Sequence, residues 1–321
     1  MPVDFGLTGI ERVTFAVESL GDACRYAADW GLSPTDRAER RDAIFVTTDG
    51  CEVAFVEADQ TDPARRPVGD ASGLSEVTWG VRDAASLTAL QRALGTDRQT
   101  AIDDSSVLRT VDDLGICLAF RSTRRIAVGY EPTRYNAPGQ ATRVDERGVR
   151  YDQARPHEIS HLAITVDDAG AAANFYIDRL GFRVSDRYAD RGVFLRCAPE
   201  GNHHNLFLLN GLQPGARFGH LAFKVRDLHE VISGGQSFDA KGWTTFAGPG
   251  RHMVSSACFW YFLTPFGGSW EYAADEDVVT DEWTPTDFAA ESHIFSEWTF
   301  GLERSDGRLR GPISQGREAT A

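Results

Sequence analysis

Two histidines and one glutamate stand at comparable places in strand-like segments of the second half of the chain. His161 lies in ISHLAITV (159–166), and His220 lies in FGHLAFKV (218–225). Glu271 lies between two aromatic residues in SWEYAAD, and strand alternation turns it to the opposite side from both. A carboxylate facing an interior is costly unless it is paired or binds a metal. Two imidazoles and one carboxylate are typical of non-haem Fe(II) sites, so the three residues predict a metal site.

The first half of the chain carries similar segments without these ligands. IERVTFAV (10–17) has Arg12 at the place of the first histidine, and LSEVTWGV (74–81) has Glu76 at the place of the second. DDLGICLAF matches TPFGGSWEY, which sets Ala119 against the glutamate. All eight histidines lie at position 157 or later. This asymmetry predicts that the second half carries the chemistry and that the first half is metal-free.

The repeated segments also predict the fold. Each is rich in Val, Ile, Thr and Phe, which indicates a short strand, and each precedes a helical pattern. The predicted helices are 18–32, 82–94, 167–182 and 226–235. Further strand-like runs follow each helix, so every unit reads as a βαβββ module. Four such modules, paired into two domains, predict an α+β fold.

The changes in composition along the chain predict its domain boundaries. The two domains are expected at residues 1–121 and 157–275, with a linker at 122–156 and a C-terminal extension at 276–321. The linker is polar and contains prolines, which favours an irregular connection. The extension is polar with isolated aromatics such as Trp283 and Trp298, so we expect it to pack back in part.

The bulk composition excludes several classes of function. A net charge of −14 and a pI of about 5.0 argue against binding to nucleic acids or anionic membranes. Five widely spaced cysteines favour reduced thiols in a cytoplasmic protein. The N-terminus lacks the basic and apolar regions of a signal peptide, and no run of about 18 apolar residues predicts a membrane span.

Two further motifs make the sequence recognisable. The segment GRH (250–252) is followed by FWYFLTPFGGSWEY (259–272), in which Tyr261 lies ten residues before the glutamate. The segment NHHNLFLL (202–209) places two histidines before a strand. With the HLA-type strands, these motifs resemble the vicinal oxygen chelate superfamily, and in particular the two-domain, type I extradiol catechol dioxygenases. The resemblance implies that each domain is a cupped mixed sheet with flanking helices.

The resemblance also implies a role for each site residue. His161, His220 and Glu271 would bind Fe(II), with Mn(II) as a possible replacement. The implied acid/base residue is His204, although a register slip of one residue would exchange it with His203. His252 and Tyr261 are implied as further catalytic residues that hydrogen-bond the oxygens of the substrate, and His203 as a further substrate contact. The implied reactants are a small aromatic diol and O₂, used in the breakdown of aromatic compounds by a homo-oligomer.

Two other functions remain open on the same scaffold. Glyoxalase-type isomerases and transferases also use His and Glu ligands, with Zn, Ni or Mn, but do not need the second set of histidines and tyrosine. Bleomycin-resistance-like proteins bind a ligand without the metal triad. The size of the diol, from one ring to several, also stays open. The remaining histidines, His157, His229 and His293, are expected to be structural or on the surface.

Overall fold

Two large β-sheets, one from each half of the chain, organise the protein. The computed structural model describes residues 3–36, 42–62, 65–131, 133–289, 295–300, 302–303 and 309–310. His293 lies outside the described residues. Both sheets mix parallel and antiparallel pairs, and the helices follow strands in the predicted order, so the α+β prediction is confirmed.

The first sheet has eight strands. They are β1 (Leu7–Val17), β2 (Ser33–Pro34), β3 (Asp42–Val46), β4 (Glu52–Glu57), β5 (Gly73–Val81), β6 (Ala101–Ile102), β7 (Leu108–Val111) and β8 (Cys117–Ser122). Their spatial order is β2-β3-β4-β1-β5-β8-β7-β6. Helix α1 (Leu20–Trp30) follows β1 and α2 (Ala84–Leu94) follows β5. The side chains of Ser19 and Asp83 accept backbone N–H groups at the two helix starts, as N-cap residues do.

The second sheet has ten strands. They are β9 (Glu158–Val166), β10 (Arg183–Tyr188), β11 (Gly192–Arg196), β13 (Leu206–Asn210), β14 (Arg217–Lys224), β15 (Thr245–Arg251), β16 (Cys258–Leu263), β17 (Ser269–Ala274), β19 (Asp287–Phe288) and β20 (Trp298–Thr299). Their order is β19-β10-β11-β13-β9-β14-β17-β16-β15-β20. Two small sheets pair β12 (Gly201–Asn202) with β18 (Val278–Val279), and β21 (Leu302–Glu303) with β22 (Leu309–Arg310). The helices of this half are α3 (Ala169–Leu180) and α4 (Leu228–Ala240).

The strand register repeats between the two sheets. In the second sheet, His161 pairs with Ala222, which pairs in turn with Glu271. In the first sheet, Arg12 pairs with Thr78, which pairs with Ala119. The sequence alignment that set Arg12 against His161 and Ala119 against Glu271 therefore holds in three dimensions.

Helix α4 is longer than its sequence suggests. The predicted helix stops at the glycine pair Gly234–Gly235, but the observed helix continues to Ala240. A Cβ on Gly235 would lie 2.1 Å from the ring of Trp260, and a Cβ on Gly234 would lie 2.5 Å from Ala154. The glycines therefore permit close packing of the helix on β16 and on the linker instead of ending the helix.

The two halves share one aromatic core. Trp30, at the end of α1, stacks on Tyr272 of β17 with ring centroids 3.6 Å apart. The Tyr272 hydroxyl donates to the carbonyl of Trp30 at 2.8 Å, and the Tyr26 hydroxyl donates to the carbonyl of Phe262 at 3.2 Å. The first half therefore supports the back of the strand that carries Glu271.

The connecting and terminal segments are anchored to this core. Between Ser122 and Glu158 the described chain has no helix or named strand, but Ala154 of this linker is fully buried. In the extension, the Trp283 ring N–H donates to the carbonyl of Ser185, and β19 and β20 join the edges of the second sheet. No helix in the described ranges is long and apolar enough to span a membrane.

The cysteines should differ sharply in reactivity. They form no disulfide, and Cys51 and Cys197 are buried while Cys24 and Cys117 are half-buried. Burial raises the pKa of the Cys197 thiol to about 12 and also raises the pKa of Cys51. Since only the thiolate reacts quickly, Cys51 and Cys197 should resist alkylation at pH 8 and react only after unfolding in guanidinium. Peptide mapping checks this, and rapid labelling of Cys197 in the folded protein would contradict it.

Candidate metal centre

Three adjacent strands present the predicted ligands on one face of the second sheet. His161 is on β9, His220 on β14 and Glu271 on β17, which are neighbours in that order. Ala222 lies in register between His161 and Glu271, and His220 lies two residues before it on the same side of β14. The period of two along each strand therefore brings all three side chains to the same side.

The ligand atoms converge to the spacing that a metal ion requires. The Nε2 atoms of His161 and His220 are 3.0 Å apart. Oε2 of Glu271 is 3.3 Å from Nε2 of His161 and 3.6 Å from Nε2 of His220. Two ligand atoms about 2.1 Å from one metal ion and at right angles to each other lie about 3.0 Å apart. The three residues therefore form one of two His/His/Glu groups close enough to hold a metal among the described residues.

Glu271 is buried without the partners that a carboxylate needs. Its side chain is 0% exposed, and neither oxygen has a hydrogen-bond partner within the described part of the chain. A buried carboxylate in this state is destabilising unless a cation compensates it. This orphaned group, together with the two imidazoles, fits a divalent transition metal.

The electrostatics of the cluster keep His220 and Glu271 in the protonation states that bind a metal. Burial lowers the pKa of His220 to about 3, against the opposing charge of Glu271, and His161 and His252 lower it further. Burial alone would raise the pKa of Glu271, but the neighbouring imidazole of His161 lowers it well below the usual range. Neutral imidazoles and an ionised carboxylate are the protonation states that a metal requires.

The two adjacent histidines before β13 lie in different surroundings. The ring of His204 lies against that of His161, with centroids 4.0 Å apart. The ring of His203 is fully buried, and its Nε2 is 2.8 Å from Oδ2 of Asp186. His204 is therefore the member of the pair beside the ligand set, and His203 is turned toward Asp186.

His252 and Tyr261 complete the other side of the cluster. The Nε2 atom of His252 is 2.9 Å from the Tyr261 hydroxyl and 3.4 Å from Oε1 of Glu271. Nδ1 of His252 donates to the carbonyl of Phe295 at 2.8 Å, which leaves Nε2 as an acceptor for the Tyr261 hydroxyl. Burial and the charge of Glu271 raise the pKa of Tyr261, so its hydroxyl stays protonated. All seven predicted site residues thus lie in one connected cluster.

Three residues of this cluster were missed by sequence reasoning. Asp186 on β10 contacts His203, the buried Glu276 lies 3.5 Å from Nδ1 of His204, and Phe295 holds His252. Glu276 and Phe295 fall in the predicted extension, where nothing in the local sequence marks them as part of the site. The only available signal was the placement of an acidic residue, Asp186, inside a strand pattern.

The equivalent positions in the first sheet form ion pairs instead. Nε of Arg12 is 2.7 Å from Glu52, and Nε of Arg109 is 3.1 Å from Glu76. The third position, Ala119, has no ligand atom. Among the described residues, the first sheet contributes no group that could hold a metal.

A family model and a curated protein match parts of this chain. Residues 158–272 match the family model of the Glyoxalase/Bleomycin resistance protein/Dioxygenase superfamily. Metapyrocatechase 2 of Cupriavidus necator is 37% identical over 145 residues, which cover 44% of this chain and 44% of that protein. The chain thus matches less than half of the length of this relative.

Solved structures match the fold of nearly the whole chain. A Mn(II)-bound glyoxalase from Novosphingobium aromaticivorans has a TM-score of 0.74 at 21% identity and covers 96% of this chain and 93% of its own. A halotolerant catechol dioxygenase has a TM-score of 0.73 at 15% identity and covers 95% of this chain and 98% of its own. At such identities the likeness shows the fold alone. Residues 158–272 therefore match the Glyoxalase/Bleomycin resistance protein/Dioxygenase superfamily, within a chain whose two-sheet fold matches these solved structures.

Proposed function

We propose that this protein is an Fe(II)-dependent extradiol dioxygenase that cleaves the ring of a catechol-type diol. The observation that carries the proposal is the joint presence of two residue sets. His161, His220 and Glu271 form the ligand set, and His204, His252 and Tyr261 surround it. The name of the curated relative, metapyrocatechase, supports the same reaction class.

The ligand set defines what the metal would contribute. Bound Fe(II) would keep open positions beside three protein ligands, where a vicinal diol and O₂ meet and exchange electrons. Mn(II) suits the same nitrogen and oxygen ligands, so both metals are candidates. The side chains around the ligands then have three tasks: to bind the diol, to move its protons and to keep water out.

Proton transfer falls to the histidines and the tyrosine. Burial and the neighbouring histidines lower the pKa of His204 well below its usual value, so the ring is a neutral base at neutral pH. In the proposal, Nε2 of His204 takes a proton from a diol hydroxyl and later returns it to the opening product. The Tyr261 hydroxyl donates to Nε2 of His252, so its oxygen lone pairs stay available to accept from the other hydroxyl.

Apolar side chains beside the cluster suit an aromatic substrate. Phe194 lies 5.0 Å from the His204 ring and stacks on Phe207 at 4.1 Å. On the opposite side, Phe259 stacks on His252 at 4.0 Å, and Phe295 lies 5.1 Å from the same ring. These rings favour a planar apolar ligand and exclude water, which strengthens the polar contacts to the diol.

Oxygen consumption tests the proposed function. The protein is loaded with Fe(II) without oxygen, and O₂ uptake is measured against a panel of one-ring, two-ring and larger diols. Uptake with a coloured ring-opened product is expected, and His220→Ala should abolish it. The control is His229→Ala, because His229 is stacked on Tyr135 at 5.5 Å, outside the cluster. Tight metal binding with no uptake for any diol would contradict the proposal.

The two alternative functions predict different outcomes of the same experiment. A glyoxalase-type isomerase would prefer Zn, Ni or Mn and would consume no O₂. A binding protein without catalysis does not need the converging triad, so that triad argues against it. A homo-oligomer, a cytoplasmic location and a role in aromatic breakdown are predictions that accompany the proposed function.

A further inference from the structure

A line of buried hydrogen bonds connects His204 to Asp186 through His203. Asp186 Oδ2 is 2.8 Å from Nε2 of His203, and Nδ1 of His203 is 3.1 Å from Nδ1 of His204. Asp186 is 2% exposed, His203 0% and His204 3%. Because these groups are buried, each needs a hydrogen-bond partner, and its neighbours in the line supply one.

The direction of each hydrogen bond follows from Asp186. An ionised carboxylate only accepts, so Nε2 of His203 carries a proton that it donates to Asp186. If His203 carries only this one proton, its Nδ1 is left with a lone pair. The short contact to His204 needs one proton, which therefore lies on Nδ1 of His204. The Nε2 of a neutral His204 is left with its lone pair.

Glu276 supports the same direction independently. Its Oε1 lies 3.5 Å from Nδ1 of His204 and accepts no hydrogen bond among the described residues. Its other oxygen accepts from Ser160 at 2.7 Å and lies 3.5 Å from Nζ of Lys224. A proton on Nδ1 of His204 faces this carboxylate favourably, whereas a lone pair there would face it unfavourably.

We propose that Asp186 and His203 are positioning residues that hold the proton of His204 on Nδ1 and keep its Nε2 lone pair free for the diol. The catalytic use of that lone pair rests on the proposed function, but the tautomer itself does not. His203, predicted as a substrate contact, thereby acts through His204. In Ser-His-Asp enzymes a carboxylate bonded directly to the base selects its tautomer, whereas here Asp186 acts through His203.

A single isosteric substitution should reverse the direction of the hydrogen bonds between residue 186, His203 and His204. The backbone N–H of Thr286 donates to Oδ1 of Asp186 at 2.6 Å. In Asp186→Asn this contact keeps the amide oxygen toward Thr286 and turns the NH₂ group toward His203. Nε2 of His203 must then accept, which moves its proton to Nδ1. That proton is donated to Nδ1 of His204, so the proton of His204 moves to Nε2 and the base is lost.

The tautomers can be read directly in the metal-free protein. Long-range 1H–15N correlation spectra of 15N-histidine-labelled protein distinguish Nδ1–H from Nε2–H, and His204→Gln assigns the His204 signal. We expect Nδ1–H in the wild type and Nε2–H in Asp186→Asn. The control is Asp112→Asn. Asp112 lies in the first half of the chain, and its buried carboxylate accepts a hydrogen bond from the hydroxyl of Tyr176. An Nε2–H signal in the wild type would overturn the proposal even if Asp186→Asn failed to fold.

Turnover then tests whether the tautomer is used. In Fe(II)-loaded Asp186→Asn, kcat for the best diol should fall by about 10²- to 10⁴-fold with metal content and KM little changed. A reversed tautomer with unchanged kcat would refute the positioning role, as would an unchanged tautomer with reduced kcat. If the wild type cleaves no diol, the proposed function fails. The spectra still show which nitrogen of His204 carries the proton.

Discussion

Glu271→Gln is expected to remove metal binding and to end turnover. The substitution keeps the shape of the side chain but replaces its charged ligand atom with a neutral amide. Removing a residue that only supports a ligand already costs about 10- to 100-fold in metal affinity, so loss of the ligand charge should exceed about 10²-fold. Metal content after dialysis and oxygen uptake with the best diol measure both effects.

The same variant should show the opposite effect on the metal-free protein. Wild-type Glu271 is a buried carboxylate without a hydrogen-bond partner among the described residues, which costs folding free energy when no cation is present. The neutral amide lowers this cost, so the metal-free variant should unfold at the same or a higher temperature than metal-free wild type. Exposed Glu200→Gln is the matched control. Retained metal, or a large fall in the metal-free melting temperature, would argue that Glu271 is a structural residue.

Trp30→Ala should produce the largest loss of stability. Trp30 is fully buried, and its ring packs on Tyr272 at 3.6 Å, Phe238 at 4.9 Å and Trp270 at 5.6 Å. Truncating a buried tryptophan to alanine costs about 3–5 kcal/mol of unfolding free energy. Denaturant unfolding of the metal-free protein measures the loss.

The position of Trp30 predicts a second consequence at the metal site. Tyr272 follows Glu271 on β17 and faces Trp30 of the first half. A cavity at Trp30 should therefore loosen the strand and weaken metal binding, although the tryptophan belongs to the half without ligands. Partly exposed Trp298→Ala is the control and should cost much less stability. Equal costs for the two tryptophan variants would contradict the shared core.

Local pattern was sufficient to predict the ligand set. Alternation with period two determines which face of a strand a side chain occupies, so His161, His220 and Glu271 could be recognised one strand at a time. The repeat of that pattern in the first half identified the equivalent positions, which the strand register of both sheets bears out. The fold class followed from the same repeat.

Periodicity was less informative where packing overrode local preference. The glycine pair in α4 reads as a helix end, but close contact with Trp260 requires it inside the helix. The extension was expected to pack back in part, but its sequence did not indicate that Glu276 and Phe295 would contact His204 and His252. In both cases the structure of one segment depends on another that is distant in sequence.

The sequence by itself therefore determined the fold class, the repeated modules and the identity of the candidate ligands, because these depend on patterns within single strands. Only the tertiary structure decided that His204, and not His203, lies beside the candidate ligands, and that Asp186 contacts His203 while Glu276 lies near His204. It also decided that the first half packs, through Trp30, against the strand that carries Glu271. These contacts join elements far apart in the chain, and their geometry depends on how the two sheets and the extension pack together.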